Sequence, residues 1–413
     1  MTATTQRTTT VAAAASGPRR STVTTTHGRR APVVAGWLAI PLLASLLLAP
    51  SVPAQVPAVD PLDETDPVAA DAGDPFDPVA DADAGGLPWA WTLEARLRGD
   101  RVADLPAERE TLERVRGRVR IGLDGWLGEA VELGVGVKLA QGSDDNADNR
   151  RNNDNERSDA FSLDRIVLRW QLGERTRLSA GKDALALTLT PMLWDPDLRP
   201  AGLAIEHALA LGDFDRLVLG AGWQRGQHLY GDDSRIASGQ LAWHVREGAP
   251  FGASVLLGLL HFDRLETLTR QGLARTNRIV GGRLASDFHL LDLLLVGRAE
   301  LAGRPLVARL DLVRNLGADA DRDGARLDVA WGDAGQARGW AMGASVQRIQ
   351  RDAVMAAFND DDWWFHSAVR GYSLWFAYGI DSHWQLRLSG FVETRDGLDE
   401  STDRLLLDVE ARW

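Results

Sequence analysis

The sequence predicts an all-β chain: a transmembrane antiparallel β-barrel of about sixteen strands behind a disordered acidic N-terminal leader. Three observations predict it. A secretory leader precedes a chain with no cysteine, apolar residues recur at every second position from Trp89 to Trp413, and arginine repeatedly fills the alternate positions.

Residues 1–54 have the form of a signal peptide. Arg7, Arg19, Arg20, Arg29 and Arg30 stand in a segment without one acid, followed by the apolar run PVVAGWLAIPLLASLLL (32–48) and the small-x-small site Val52-Pro53-Ala54. About 20 apolar residues would also serve as an uncleaved anchor, but Pro41 and the adjoining cleavage site favour a signal. The basic region is long, which suggests a start at a downstream non-methionine codon, since the next Met is Met192. Residues 55–88 hold nine acids, no base, and Pro or Gly every few positions. Such a stretch buries too little apolar surface to offset its chain entropy and is expected to be a disordered leader.

The whole chain carries 46 basic and 58 acidic residues, a net charge of −12. The five leader arginines and the nine leader acids fall away from that total, which leaves residues 89–413 at −8. The acidic balance excludes a protein that neutralises phosphates over a broad face, so nucleic acid is no partner. Absence of cysteine excludes disulfides, zinc knuckles and thiol nucleophiles. Only Lys138 and Lys182 are lysines, so the positive charge is almost entirely guanidinium.

From Trp89 the period is two. Trp89, Trp91, Leu93, Ala95 and Leu97 form one face, with Thr92, Glu94, Arg96 and Arg98 on the other. Val115, Gly117, Val119, Ile121 and Leu123 alternate with Arg114, Arg116, Arg118 and Arg120, and Val131 to Leu139 alternate with Glu132 and Lys138. A helix would spread those arginines around its whole cylinder; a strand puts them on one face. Ile166, Leu168 and Trp170 alternate with Arg165 and Arg169, and Thr176, Leu178 and Ala180 with Arg175 and Arg177. The pattern runs on through Leu217–Trp223, Gly239–Val245, Leu306–Leu312, Trp340–Val346, Tyr372–Tyr378, Trp384–Leu388 and Leu405–Trp413. The tally is seventeen, and a barrel with both ends on one side needs an even number. Parity breaks between Arg278 and Arg314 or in the stretch 183–200; sixteen strands are expected, with eighteen as the next choice.

Period two does not say which face is inside. Rows of arginine could not sit unpaired in a soluble core, Trp89, Trp170, Trp223, Trp243 and Trp413 stand near segment ends as an interfacial girdle requires, and closure removes edges that lipid could not satisfy. A membrane barrel in the bacterial outer membrane follows, with lipid as its outer partner. Gly128-Glu129 and Gly173-Glu174 are expected turns; residues 142–160 and 351–366 are expected long loops, the first mobile and exposed.

With the apolar faces toward lipid, the lumen wall carries Arg96, Arg98, Arg114, Arg116, Arg118, Arg120, Arg165, Arg169, Arg175 and Arg177, with Glu94 and Glu132 nearby. Guanidinium groups over a wet path lower the barrier for anions. Alternatively they pair with acids across the lumen, such as Asp311, Asp328, Asp408 and Glu410. Residues 188–200 are placed either as a constriction, with Asp195, Asp197 and Arg199 at its eyelet, or as a surface loop. Asp319-x-Asp321-x-Asp323-Gly324 imitates a calcium loop, but position twelve is Ala330 where a bidentate Glu is needed. The eight histidines show no metal spacing, no hydrolase or phosphate-binding motif occurs, and His383 beside Ser382 fits a turn. No enzyme activity, cofactor or metal is expected.

Four stretches, in order, resemble the Gram-negative outer-membrane putative porin family: 163–182 ending Ser179-Ala180-Gly181-Lys182, with Lys where the family often has Arg or Gln; Leu193-Trp194-Asp195-Pro196-Asp197-Leu198 with Ala201-Gly202-Leu203; Arg304-Pro305 through Asp311 and Asn315; and 352–362 with Gly371-Tyr372. Trp413 resembles the C-terminal signal read by the outer-membrane assembly machinery. The resemblance implies a porin for passive diffusion of small hydrophilic solutes, with anion preference from the arginines; porins of this kind form homo-trimers, whose apolar wall no residue pattern locates here. The rivals are an alginate-type polysaccharide export barrel, which needs a longer continuous ladder, and a non-conducting adhesion or lipid-active barrel.

Overall fold

The computed structural model describes residues 89–413 apart from 146, 148–150, 153, 156–159, 213, 227–232 and 247–249. The signal peptide (1–54) and acidic leader (55–88) expected from the sequence lie outside the described residues.

Sixteen antiparallel strands close into a barrel. The first nine are β1 (Trp89–Ala103), β2 (Leu112–Trp126), β3 (Val131–Gly142), β4 (Ala160–Gln171), β5 (Thr176–Lys182), β6 (Ala201–Ala210), β7 (Arg216–Arg225), β8 (Arg235–Val245) and β9 (Phe251–Asp263). A one-turn helix α1 (Glu266–Arg270) and a hairpin of two-residue strands, β10 (Ile279–Val280) and β11 (Arg283–Leu284), follow outside the barrel sheet. The barrel resumes with β12 (Phe288–Leu301), β13 (Arg304–Asn315), β14 (Asp323–Asp333), β15 (Trp340–Ile349), β16 (Val369–Gly379), β17 (Trp384–Arg395) and β18 (Ser401–Arg412). The count of seventeen is thereby corrected to sixteen: 278–314 yields two barrel strands plus the small hairpin, and 183–200 yields none. Closure is between β1 and β18, where Leu93 and Trp413 exchange both backbone hydrogen bonds at 2.9 Å.

The apolar faces point out. Val115, Ile121, Leu139 and Leu374 are 49–61% exposed, whereas Arg98, Arg114, Arg116 and Arg120 are 4–8% exposed. This inverts a soluble barrel and matches a wall that meets hydrocarbon. Alternation is broken once on β4. A bulge opposite Gly136/Val137 seats two consecutive residues, Asp164 and Arg165, between outward Leu163 and Ile166, so both charges stay off the lipid face. At the short-turn end Trp331 and Trp340 meet edge to face at 5.1 Å, and Trp384 and Trp413 do so at 5.6 Å. Trp89, Trp170 and Trp243 share this rim, while Trp223 stands at the opposite one. Gly128 and Gly173 make the expected short turns with φ of +96° and +73°.

The opposite end carries the long connections, and they fold inward. Residues 183–200, 264–278 and 350–368 meet apolar inner positions at the strand ends, among them Ile236, Leu260, Phe262, Phe288, Leu290 and Ile349. At the centre Phe358 stacks on Trp194 and on Phe262, each at 5.6 Å. The expectation that 142–160 is exposed holds at Ser143, Asp145, Ala147 and Arg151 and is corrected at Asn152, Asp154 and Asn155, which are buried. The loop has no apolar anchor, but its carboxylate and amides bond inside the lumen and hold it there. Replacing Phe358 by Ala removes the ring on which these loops converge, a loss of about 3–5 kcal/mol by the usual cost of a large core truncation. The expected outcome is a barrel that still folds, with cleavage by chymotrypsin appearing within 350–368.

Candidate functional site

The inward faces of β1, β2 and β4 carry the arginine wall, and carboxylates meet it in tiers. Toward the long-loop end Asp100 accepts from Arg404 at 2.9 Å, from Arg116 at 3.4 Å and from Arg114. Arg114 also reaches Asp154 from the 142–160 loop, and Asp144 at 3.2 Å. Below it Arg98 forks onto Asp408 of β18 with donor distances of 2.6 and 3.0 Å, and pairs with Asp362 from the 350–368 loop. In the next tier three guanidiniums surround Asp197 of the 183–200 loop: Arg118, Arg120 at 3.0 Å and Arg96 at 3.7 Å. Nearer the short turns Arg165 pairs with Asp124, and Arg169 pairs with Glu132 at 2.9 Å and with Asp183.

Two members of the expected row sit differently. Arg175 is exposed in the turn before β5 and is not on the wall, because the strand begins only at Thr176. Arg177 stands in register with buried Glu206 of β6. Of the acids expected opposite, Asp408 takes Arg98, Asp328 takes Arg326 of its own strand at 2.8 Å, and Asp311 accepts from the Thr190 hydroxyl.

The 188–200 segment lies inside the barrel, and its three candidate residues divide their work. Asp197 alone faces the wall. Asp195 is a structural carboxylate: it accepts from the Asp197 amide at 2.8 Å and the Asn155 amide group at 2.9 Å. Arg199 is buried and donates to the Pro196 carbonyl in its own loop. The sequence signalled none of the roles of Asp360, Asp361 and Asp362, although the run Asp-Asp-Asp between Asn359 and Trp363 was a visible mark. Asp361 accepts the Asn155 N–H at 2.6 Å, and Arg404 donates to the Asp362 carbonyl at 2.9 Å. Glu393 of β17 fixes the far side of this loop by accepting from the Trp364 and Phe365 amides at 2.7 and 2.9 Å. The calcium-like Asp321 and Asp323 are held by Arg278 and Arg314.

Wall arginines, the Asp360–Asp362 turn that packs on them, and Arg326 and Arg387 border a cavity of about 320 Å³ that reaches the short-turn residues 381–384. Its remaining wall is aromatic. The Trp375 ring lies flat over Gly343, where a Cβ would come within 2.5 Å of it, and the Arg387 guanidinium covers it at 4.3 Å.

Burial pushes the Asp197 carboxyl up, but Arg118, Arg120 and Arg96 outweigh it and hold it well below the usual range. Burial likewise acts on Asp362, and Arg98 brings it down to about 2. Asp360 and Asp361 go the other way: burial raises both, and neighbouring carboxylates add to it. A group raised in this way takes up its proton first as pH falls, so acidification removes negative charge from the 350–368 side while Asp197 and Asp362 stay ionised. Reversal potentials measured under a salt gradient should therefore move in the anion direction as the pH is lowered. Asp100→Ala leaves three arginines without their shared acceptor and should cost about 3–5 kcal/mol, read as a lower urea midpoint for unfolding.

Comparison with known proteins bears on the fold and on the first strands of the barrel. No curated protein matches the sequence. OprB of Pseudomonas putida, in its high-pH structure, superposes with a TM-score of 0.54 at 13% identity over 79% of this chain and 94% of its own. Salmonella typhi OmpF, in a complex with daunomycin, gives 0.50 at 11% identity over 78% and 97%. Residues 95–222 match the putative porin family. That span contains the first two stretches of likeness seen in the sequence, 163–182 and 193–203, and ends before the other two. The barrel has the fold of outer-membrane porins, and from β1 into β7 it carries the sequence pattern of the putative porin family.

Proposed function

We propose that the protein is an outer-membrane porin through which small hydrophilic solutes diffuse passively, with a preference for anions set along the arginine wall. The observation that carries this reading is a closed, outward-apolar barrel whose lumen is narrowed by inward loops. At the level of Asp197 three guanidiniums share one carboxylate. The local excess is positive, and an anion at that level finds donors that a fork geometry can share. Asp362 pairs with Arg98 on this wall, and Asp360 and Asp361 add carboxylates beside it, so a solute passes charges of both signs. Sec-type export by the 1–54 signal and insertion by the assembly machinery through the Trp413 strand complete the proposal.

An export barrel for a polyanion fits less well. The arginine ladder is concentrated on β1, β2 and β4, while the inner side of β8, β9, β12 and β13 includes an apolar patch of Ala242, Leu256, Leu294, Val296 and Val307. A polyanion would lose its charged path there. A non-conducting barrel keeps one specific observation in its favour, the apolar cluster around Phe358 that fills the long-loop end.

Planar-bilayer recording of the refolded chain separates these. Stepwise conductance with an anion-directed reversal potential is expected, and Arg118→Glu should turn that potential toward cations. Absence of steps from a barrel shown to be folded by its heat-modifiable gel mobility would remove the open pore in favour of the plugged one.

A further inference from the structure

Two histidines meet on the outside of the barrel, away from the lumen. His261 of β9 and His289 of β12 are direct cross-strand partners. Their rings are stacked with centroids 4.5 Å apart and planes within 1°, and the two Nδ1 atoms are 2.7 Å apart. Both side chains are exposed, while Leu260, Phe262, Phe288 and Leu290 on either side of them are buried inward. On β9 the outward positions before His261 are Val255, Leu257 and Leu259. The pair therefore stands where the apolar band gives way to the long-loop rim. Asp263, the next outward position on β9, and Asp287, two residues before His289, are both exposed.

The backbone under the pair is fixed. Beyond the β9–β12 ladder itself, the His289 N–H donates to Asn315 Oδ1 at 3.0 Å and its carbonyl accepts from the Leu316 N–H at 2.8 Å. The two Cβ positions are set in advance, and only side-chain torsions remain to be ordered. Metal–imidazole bonds of about 2.0–2.1 Å place two nitrogens of a tetrahedral site roughly 3.3 Å apart. A small counter-rotation of two exposed rings opens the present spacing to that value. Two imidazoles form a donor set for zinc- or copper-class ions, not for calcium or magnesium.

We propose that His261 and His289 form a binding site for one divalent transition-metal ion at the outer rim, with water completing its shell. The proposal does not depend on what the lumen conducts. Its test is titration of the tag-free full chain, folded in detergent, with Cu²⁺ followed by electron paramagnetic resonance. One saturable site with coupling to two nitrogens is expected. His261→Ala and His289→Ala should each weaken it by at least about tenfold and abolish the two-nitrogen pattern, while His244→Ala leaves it intact. His261→Gln serves if an alanine variant does not fold. A signal that survives in both single variants, or one with oxygen ligands only, as Asp360–Asp362 in the lumen would give, overturns the site. So does the absence of saturable binding.

Discussion

The structure depends on one constraint: guanidinium groups crowded on one wall need carboxylates within reach, in a lumen too narrow to hydrate them all. A buried arginine without an acid is among the costliest groups a protein can hold. Strands alone do not meet the demand. Asp100, Asp124, Asp408 and Glu132 serve from the wall, but Asp154, Asp183, Asp197 and Asp362 come from three separate connections. The arginines are thus why these loops enter the barrel, and the loops are why the lumen narrows. On the proposed function, structure and selectivity rest on the same ion pairs.

Docking has a second component at a different height. Toward the long-loop end the inner faces of the strands turn apolar, with Val102, Ile236, Phe262, Phe288 and Val369 in place of charges. There the loops bury Met192, Leu193, Val354 and Phe358 against them, a contact driven by loss of apolar surface and indifferent to pH. Lower down, contact is by charge. Acid therefore acts on the rim of the cavity through Asp360 and Asp361 without loosening the apolar seat above it.

Much of the fold was legible because a barrel wall has two solvents. Period two, turns at Gly128 and Gly173, and the inward arginines of β1 and β2 follow from one rule applied strand by strand. Legibility failed where the rule is suspended. The bulge that turns both Asp164 and Arg165 inward has no sequence mark, and Arg175 obeys the alternation yet precedes its strand by one residue. Loop 142–160 reads as solvated because polarity normally means water; here Asp154 and Asn155 are polar because arginine and aspartate await them inside. Pairings such as Arg98 with Asp408, 310 positions apart, or His261 with His289, are consequences of register, which a single sequence does not encode locally.

The near-absence of lysine follows from the same arrangement. Asp197 is shared by three arginines, Asp100 by three, and Arg114 itself spans three carboxylates. Such sharing needs planar groups that donate along several directions at once; an ammonium is a point charge that holds its hydration more tightly. The two lysines occupy lesser posts. Lys182, at the end of β5, spends its charge on the carbonyls of Leu163 and Asp164 at 2.6 and 3.0 Å, beside the bulge of β4. A wall built of lysine would bring the same net charge but could not tie two strands to one loop through a single carboxylate. The choice of arginine is thus first a solution to folding a charged lumen, and the anion preference proposed for the pore would come with it.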